Sequence, residues 1–274
     1  MKLGLALGGG GANGSYQIGV LKALIETGLL NKLKVVSGTS IGAFNACLVM
    51  ERLSFDKMHE MWLKIDNQNV YGSIDRFKQD KLGLFDQTKM YNTLITHQDK
   101  EVLNKSDIKG FVIASKIKEL KLLNQVMKSN LEETVFYLNK LKDPHRAVLA
   151  SASIPIIFGP TQIEDTYYVD GGLLNNLPVK QLVDEGCNVL FTVSLDHHYN
   201  LDEYKDDYVV VDFTPTTKLS KTFLGVLNFS EEALKNKIDL GYSNALSLIE
   251  QLKEEGIIKN NKIDKNKKGI YYLK

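Results

Sequence analysis

Ser40 stands in Gly38-Thr39-Ser40-Ile41-Gly42, between Lys34-Val35-Val36-Ser37, which reads as a strand, and Ile41 to Arg52, which reads as a helix. A serine at a sharp strand-to-helix turn is held with its hydroxyl exposed, and flanking glycines let the backbone fold tightly around it. The N-terminus of the following helix favours the negative charge that develops when such a serine attacks an ester. G-x-S-x-G also arises in ordinary turns, but the flanking strand and helix favour the nucleophile. A second cluster, Gly8-Gly9-Gly10-Gly11-Ala12-Asn13-Gly14, follows the apolar run Leu3 to Leu7. Consecutive glycines can aim several N–H groups at one point, which suits an oxyanion hole. Gly9, Gly11 and Gly14 also fit the G-x-G-x-x-G pattern of dinucleotide sites. That fingerprint wants an acidic residue at the end of the second strand, where this chain has Ser37-Gly38-Thr39-Ser40.

A serine nucleophile needs a base. The histidines are His59, His97, His145, His197 and His198. His59 and His97 lie in charged segments that suit a surface role, and His145 sits at a helix start, Asp143-Pro144-His145-Arg146. His197 and His198 follow a strand and an aspartate, so they are the histidines to weigh for a triad. Asp170 offers a different base, in Val169-Asp170-Gly171-Gly172 directly after the aromatic pair Tyr167-Tyr168. An Asp-Gly pair is equally what a plain hairpin turn uses.

The elements that must position these residues follow from periodicity. Leu3 to Leu7 is apolar without alternation, as a buried parallel strand is. Ser15 to Thr27 has helical spacing, with Ile18, Leu21 and Ile25 on one face and Gly28 as its stop. Strand, glycine turn and helix thus occur twice before Arg52, the signature of a doubly wound α/β sheet. Phe111 to Ser115, Asn188 to Leu195 and Asp207 to Phe213 read as further strands. Pro144 to Ala152, Leu131 to Lys142 and Ser230 to Glu255 read as helices, and the Lys- and Asn-rich Lys259 to Lys268 as a solvated connector before Tyr271-Tyr272-Leu273. With no repeat and no Pro/Ser-rich linker, the reading is one α/β domain with a central, mainly parallel sheet flanked by helices.

Composition narrows the partners. Among 274 residues, Lys+Arg 34 against Asp+Glu 33 leaves a net charge of +1, which argues against a globally basic nucleic-acid binder. Cys47 and Cys187 sit in apolar contexts with no framework spacing and read as reduced, buried thiols. The N-terminal apolar run is too short for a secretory signal. No run reaches the roughly 18 apolar residues of a spanning helix. The expectation is a cytoplasmic protein, with peripheral membrane contact left open.

Taken together, the motifs resemble the patatin-like phospholipase family. The glycine loop with Tyr16-Gln17-Ile18-Gly19-Val20-Leu21, the elbow Gly38 to Gly42 and Asp170-Gly171-Gly172 occur in that family's order. Gly83-Leu84-Phe85-Asp86, Ala150-Ser151-Ala152-Ser153-Ile154-Pro155 and Asn175-Asn176-Leu177-Pro178-Val179 also match. The resemblance covers residues 3–196 and weakens over 197–274, read as an extension packing on the same domain. It implies a lipid acyl hydrolase with a Ser40–Asp170 dyad, an oxyanion hole from the N–H groups of Gly9, Gly10 and Gly11, and motif glycines Gly14, Gly38, Gly42, Gly171 and Gly172. No histidine, metal or cofactor is implied, and the implied partner is a phospholipid or other acyl-ester lipid.

One departure stands out: the family commonly carries Arg where this chain has Asn13. Losing that cation removes positive charge near the oxyanion or a substrate phosphate, whereas Asn also suits a turn or a helix cap. It keeps open an adaptor of the same fold with weak activity, beside the nucleotide-binding reading of the glycine loop. Two stretches could meet lipid: Phe55 to Ile65, with Met58, Met61 and Trp62, and Lys218 to Phe229, where Lys218 and Lys221 flank Phe223, Leu224 and Leu227. Core packing is the competing reading of the first, and a core strand or a dimer contact that of the second.

Overall fold

The computed structural model describes residues 1–65, 83–85, 91–93, 96, 98–121 and 123–273, with 83–85 and 223 described by backbone alone. In chain order the strands are β1 (Leu3–Leu7), β2 (Leu33–Thr39), β3 (Gly83–Phe85), β4 (Lys109–Ile117), β5 (Leu131–Tyr137), β6 (Ile156–Phe158), β7 (Thr161–Ile163), β8 (Thr166–Asp170), β9 (Val189–Val193), β10 (Val209–Asp212), β11 (Ile258–Lys259), β12 (Lys262–Ile263) and β13 (Gly269–Tyr272). The helices are α1 (Ser15–Glu26), α2 (Ile41–Met50), α3 (Phe55–Lys64), α4 (Lys100–Lys105), α5 (Pro144–Ser151), α6 (Lys180–Asp184), α7 (Phe223–Val226) and α8 (Glu231–Glu254).

Nine strands form one sheet in the order β13-β10-β9-β1-β2-β4-β8-β7, with β5 also on β4. Pairing is parallel from β13 to β4 and antiparallel where β5, β7 and β8 join. This is the expected α/β architecture. β1 and β9 are buried along their whole length, as strands covered on both faces must be. From β1 the chain proceeds to β2 on one side, and from β9 to β10 on the other. The carboxyl ends of β1 and β9 therefore mark the switch point where open α/β sheets place their ligands.

One feature of register positions the site. β2 pairs with β4 up to Thr39 opposite Ile113, and β8 takes over the same edge with Asp170 opposite Ala114. The ends of β2 and β8 thus meet one register position apart, so the residue after Thr39 lies beside Asp170.

Beyond residue 196, β10 and β13 extend the sheet and α8 packs along α1. Those helices touch backbone to backbone: a methyl on Gly19 would overlap the Ile238 carbonyl, and one on Gly241 the Tyr16 carbonyl. Cys47 and Cys187 are free and buried. No helix of the described residues is long and apolar enough to cross a membrane.

Two expectations fail. Leu131 to Lys142 is not a helix: Leu131–Tyr137 is β5, followed by a short 3-10 turn over Leu138–Lys140. Leu131, Val135 and Leu138 mimic helical spacing. The β-branched and aromatic residues instead pair along β4, where Phe136 meets Tyr168 and Tyr137 stacks on Phe111 at 5.1 Å. The connector over Lys259 to Lys268 contains the small β11–β12 hairpin, with left-handed Asn260 and Asn261 at its turn.

Candidate active site

Thr39 ends β2 and Ile41 begins α2, so Ser40 alone makes the turn, with φ 55° and ψ −123°. Such backbone is sparsely populated for a non-glycine residue and costs roughly 1–3 kcal/mol, so the surroundings must hold it. They do so by close approach. A methyl on Gly38 would overlap the Gly42 carbonyl, and one on Gly42 would overlap the Leu7 carbonyl of β1. Ser151, the last residue of α5, accepts the Ser40 N–H through Oγ at 2.8 Å.

Ser40 Oγ donates to Asp170 Oδ2 at 2.6 Å, and the two residues are only 6% and 8% exposed. Asp170 is fixed on all sides. Its Oδ1 accepts from Gly172 N–H at 2.8 Å, its carbonyl from Ser115 Oγ at 2.9 Å, and its own N–H donates to Ser153 O at 2.9 Å. Gly171 packs on Ile113, where a side chain would collide with backbone. Burial pushes the Asp170 carboxyl up to about 6, against the hydrogen bonds from Ser40 and Gly172. A carboxylate in that range is ionised at neutral pH yet more basic than a free one, which suits a general base.

The histidines are engaged elsewhere. His198 Nδ1 lies 2.6 Å from buried Asp212 Oδ2, and that hydrogen bond raises its pKa. His197 pairs with Asp196 at 3.0 Å. His145 is buried in α5, where desolvation lowers its pKa. His59 stacks on Phe55. His97 lies outside the described residues, as does Asp86. None of the described histidines hydrogen-bonds Ser40 or Asp170.

The glycine loop follows β1 at the switch point. Gly8 N–H donates to Val193 O at 3.0 Å. Gly9 N–H is occupied by Asn176, whose carbonyl lies at 3.2 Å and whose Oδ1 lies at 3.1 Å. Gly10 and Gly11 N–H have no acceptor among the described residues. Gly14 sits against Ile41 and Trp62. A buried relay braces the loop: Trp62 Nε1–H donates to Asn45 Oδ1 at 2.9 Å, Asn45 Nδ2 to Gln17 Oε1 at 2.8 Å, and Gln17 Nε2 to Gly8 O at 2.8 Å. Trp62, Met58 and Met61 are therefore core residues of α3, so of the two apolar stretches this one packs inward.

Sequence reasoning assigned no role to Gln17, Asn45, Ser151 or Asn176. Three of them sit inside segments that carry the family resemblance. Asn45 has its own signal, a lone amide on the otherwise apolar Ile41–Met50.

The model of the family described as patatin-like phospholipase matches residues 5–183, a span holding the loop, the elbow and Asp170. The chain belongs to the patatin-like phospholipase family. Lysophospholipase nte1 of Aspergillus terreus is 32% identical over 193 residues, which cover 70% of this chain and 12% of that protein. Lysophospholipase NTE1 of Candida glabrata is 27% identical over 194 residues, 70% of this chain and 10% of that protein. This patatin-like chain thus spans about a tenth of the length of those relatives. The crystal structure of the type III effector protein ExoU shares its fold, with a TM-score of 0.50 at 16% identity over 91% of this chain and 52% of that one.

Asn13, where this patatin-like chain departs from the family, is buried, and its Oδ1 accepts from Ser220 Oγ at 2.6 Å. It makes no helix cap and has no left-handed backbone. Its role is to tie residues 218–229 onto the glycine loop, where the Val226 carbonyl also closes over Gly11. Asn13→Arg is therefore expected to lower the melting temperature by the few degrees that roughly 1–3 kcal/mol of overpacking produces, read by thermal denaturation. An unchanged melting point with raised turnover would show room for a useful cation instead.

Proposed function

We propose that this chain is a serine lipid acyl hydrolase with Ser40 as nucleophile, Asp170 as base, and the free N–H groups of Gly10 and Gly11 as oxyanion donors. The observation that carries the reading is the 2.6 Å hydrogen bond from Ser40 Oγ to a buried carboxylate. Ser40 Oγ attacks the ester carbonyl as Asp170 takes its proton. The oxyanion gathers donors from the loop and the N-terminus of α2. Collapse expels the alcohol, which leaves with the proton from Asp170, and Ser40 carries the acyl group. Water then gives its proton to Asp170 and attacks, releasing the fatty acid and restoring Ser40.

The family membership and the lysophospholipase relatives support an acyl-ester lipid, lysophospholipid included, as substrate. The nucleotide reading of the loop finds less support, because the side of Gly9 that a Cβ would occupy is filled by Asn176 and Ser40 and β2 ends without the acidic residue of a dinucleotide site. The test is incubation with a mixed lipid extract and identification of released fatty acid by mass spectrometry, with Ser40→Ala as control. The pH profile adds a second reading. Since Asp170 must be ionised and its carboxyl sits at about 6, kcat/KM on a soluble ester should be flat above pH 7. Below about pH 6 it should fall tenfold per pH unit. Activity undiminished at pH 4 would remove Asp170 as base.

A further inference from the structure

The loop joining β4 to β5, described at residues 118–121 and 123–130, combines an internal amide network with an exposed apolar surface. Its amide side chains turn inward, while its lysines, Glu119 and Ser129 are exposed. Lys118 N–H donates to Asn130 O at 3.0 Å, and the Glu119 carbonyl accepts from Asn130 Nδ2 at 3.0 Å and Asn124 Nδ2 at 3.2 Å. Gln125 is fully buried. Its apolar side chains face outward: Leu123 is 74% exposed and Met127 50%, with Leu120 and Val126 exposed beside them. Lys118, Lys121 and Lys128 stand among them against the single acid Glu119, three charges minus one for a net +2.

The place of this loop gives it a direction. β4 passes the dyad at Ala114, opposite Asp170, and continues three residues to Ile117 before the loop begins. At strand rise that lifts the loop about 10 Å beyond the dyad on the carboxyl side of the sheet. β1 and β4 flank β2 on opposite sides. On the β1 side, α7 sits on the glycine loop and holds Leu224, 77% exposed. Exposed apolar side chains therefore rim Ser40 from both sides. Leu227, one of the residues expected to face lipid, is half-buried instead, and the Phe223 side chain lies outside the described residues.

We propose that this rim is a lipid-surface contact: loop 118–130, with Leu224 across the site, seats the dyad face on a phospholipid bilayer. An exposed apolar patch set among charges marks an interaction surface. The excess of lysine over acid suits phosphate at headgroup depth, while Leu123 and Met127 enter the acyl boundary. The purpose of the contact rests on the hydrolase reading; the binding itself does not.

The test uses full-length protein carrying Ser40→Ala, to prevent hydrolysis, with phosphatidylcholine vesicles containing phosphatidylglycerol. Cosedimentation should show binding, and adding L123S with M127S should lower the partition coefficient about tenfold. Adding K121E with K128E should lower it less, and mainly for the anionic vesicles. In the Ser40 background, L123S with M127S should depress hydrolysis of vesicle phospholipid, with turnover of a soluble short-chain ester and the melting temperature unchanged. Equal vesicle binding by the parent and L123S with M127S overturns the proposal. So does gel filtration showing that the double variant splits a dimer, which would make the rim a contact between copies. Absent ester turnover in the wild type, with vesicle binding still set by the loop, would defeat the dyad and leave the contact standing.

Discussion

Ser40→Ala and Asp170→Asn are each expected to lower turnover of a soluble ester by about three orders of magnitude or more, because each removes half of one catalytic unit. Steady-state kinetics on both variants, beside His197→Ala and His198→Ala, gives the contrast: the histidine variants should keep most activity. A triad would show as equal damage from His198→Ala and Asp170→Asn. Loss by unfolding is separable, since Asp170→Asn should stabilise the protein at neutral pH. The folded carboxyl at about 6 lies above its unfolded value of about 3.9. The folded state thus holds the proton more tightly, and stability is lost as pH rises from about 4 through about 6. Roughly 2–3 kcal/mol is forgone at pH 8. Asparagine removes that penalty, with its side-chain oxygen accepting from Gly172 N–H and its amide donating to Ser40 Oγ. The variant should therefore melt above the wild type at pH 8, with the gap closing toward pH 4.

Gly42→Ala carries the second large effect. One methyl there would drive into the Leu7 carbonyl, and β1 is too deeply packed to yield. Two responses are open to the chain: α2 shifts, carrying Ser40 away from Asp170, or the sheet loosens. Either should cost at least about 3 kcal/mol, well above a typical substitution, and ester turnover should fall about a hundredfold or more, since displacement of about 1 Å is that costly in a preorganised site. Thermal denaturation and kinetics on one preparation check this. Wild-type values for both would mean that the elbow has slack the packing does not show.

Most of the candidate site was legible because its parts are local. The two glycine turns follow apolar strands, and Ser40 and Asp170 each close a strand, so type and spacing were enough to single them out. Their meeting was not local. It depends on β2 and β8 sharing one edge of β4, a register that no window around either residue contains. The same strand explains the failure at residues 131–142, where local spacing favoured a helix and pairing with β4 made a strand. Gly9 and Asn13 show a third limit. Each looked like part of the chemistry, but Asn176 occupies the N–H of one and Ser220 engages the side chain of the other. Both partners are more than 150 residues away in sequence. Loop 118–130 carries no such local signal, because exposed leucines have no signature that separates them from buried ones.

The claim at the centre is that Ser40 is a nucleophile activated by Asp170 without a histidine, and covalent labelling by a fluorophosphonate tests it most directly. Intact-protein mass spectrometry followed by peptide mapping should find one adduct per chain, on Ser40. No adduct should form in Ser40→Ala, labelling should slow at least a hundredfold in Asp170→Asn, and the wild-type rate should persist in His197→Ala and His198→Ala. An adduct elsewhere, no adduct at all, or wild-type labelling of Asp170→Asn would contradict the account.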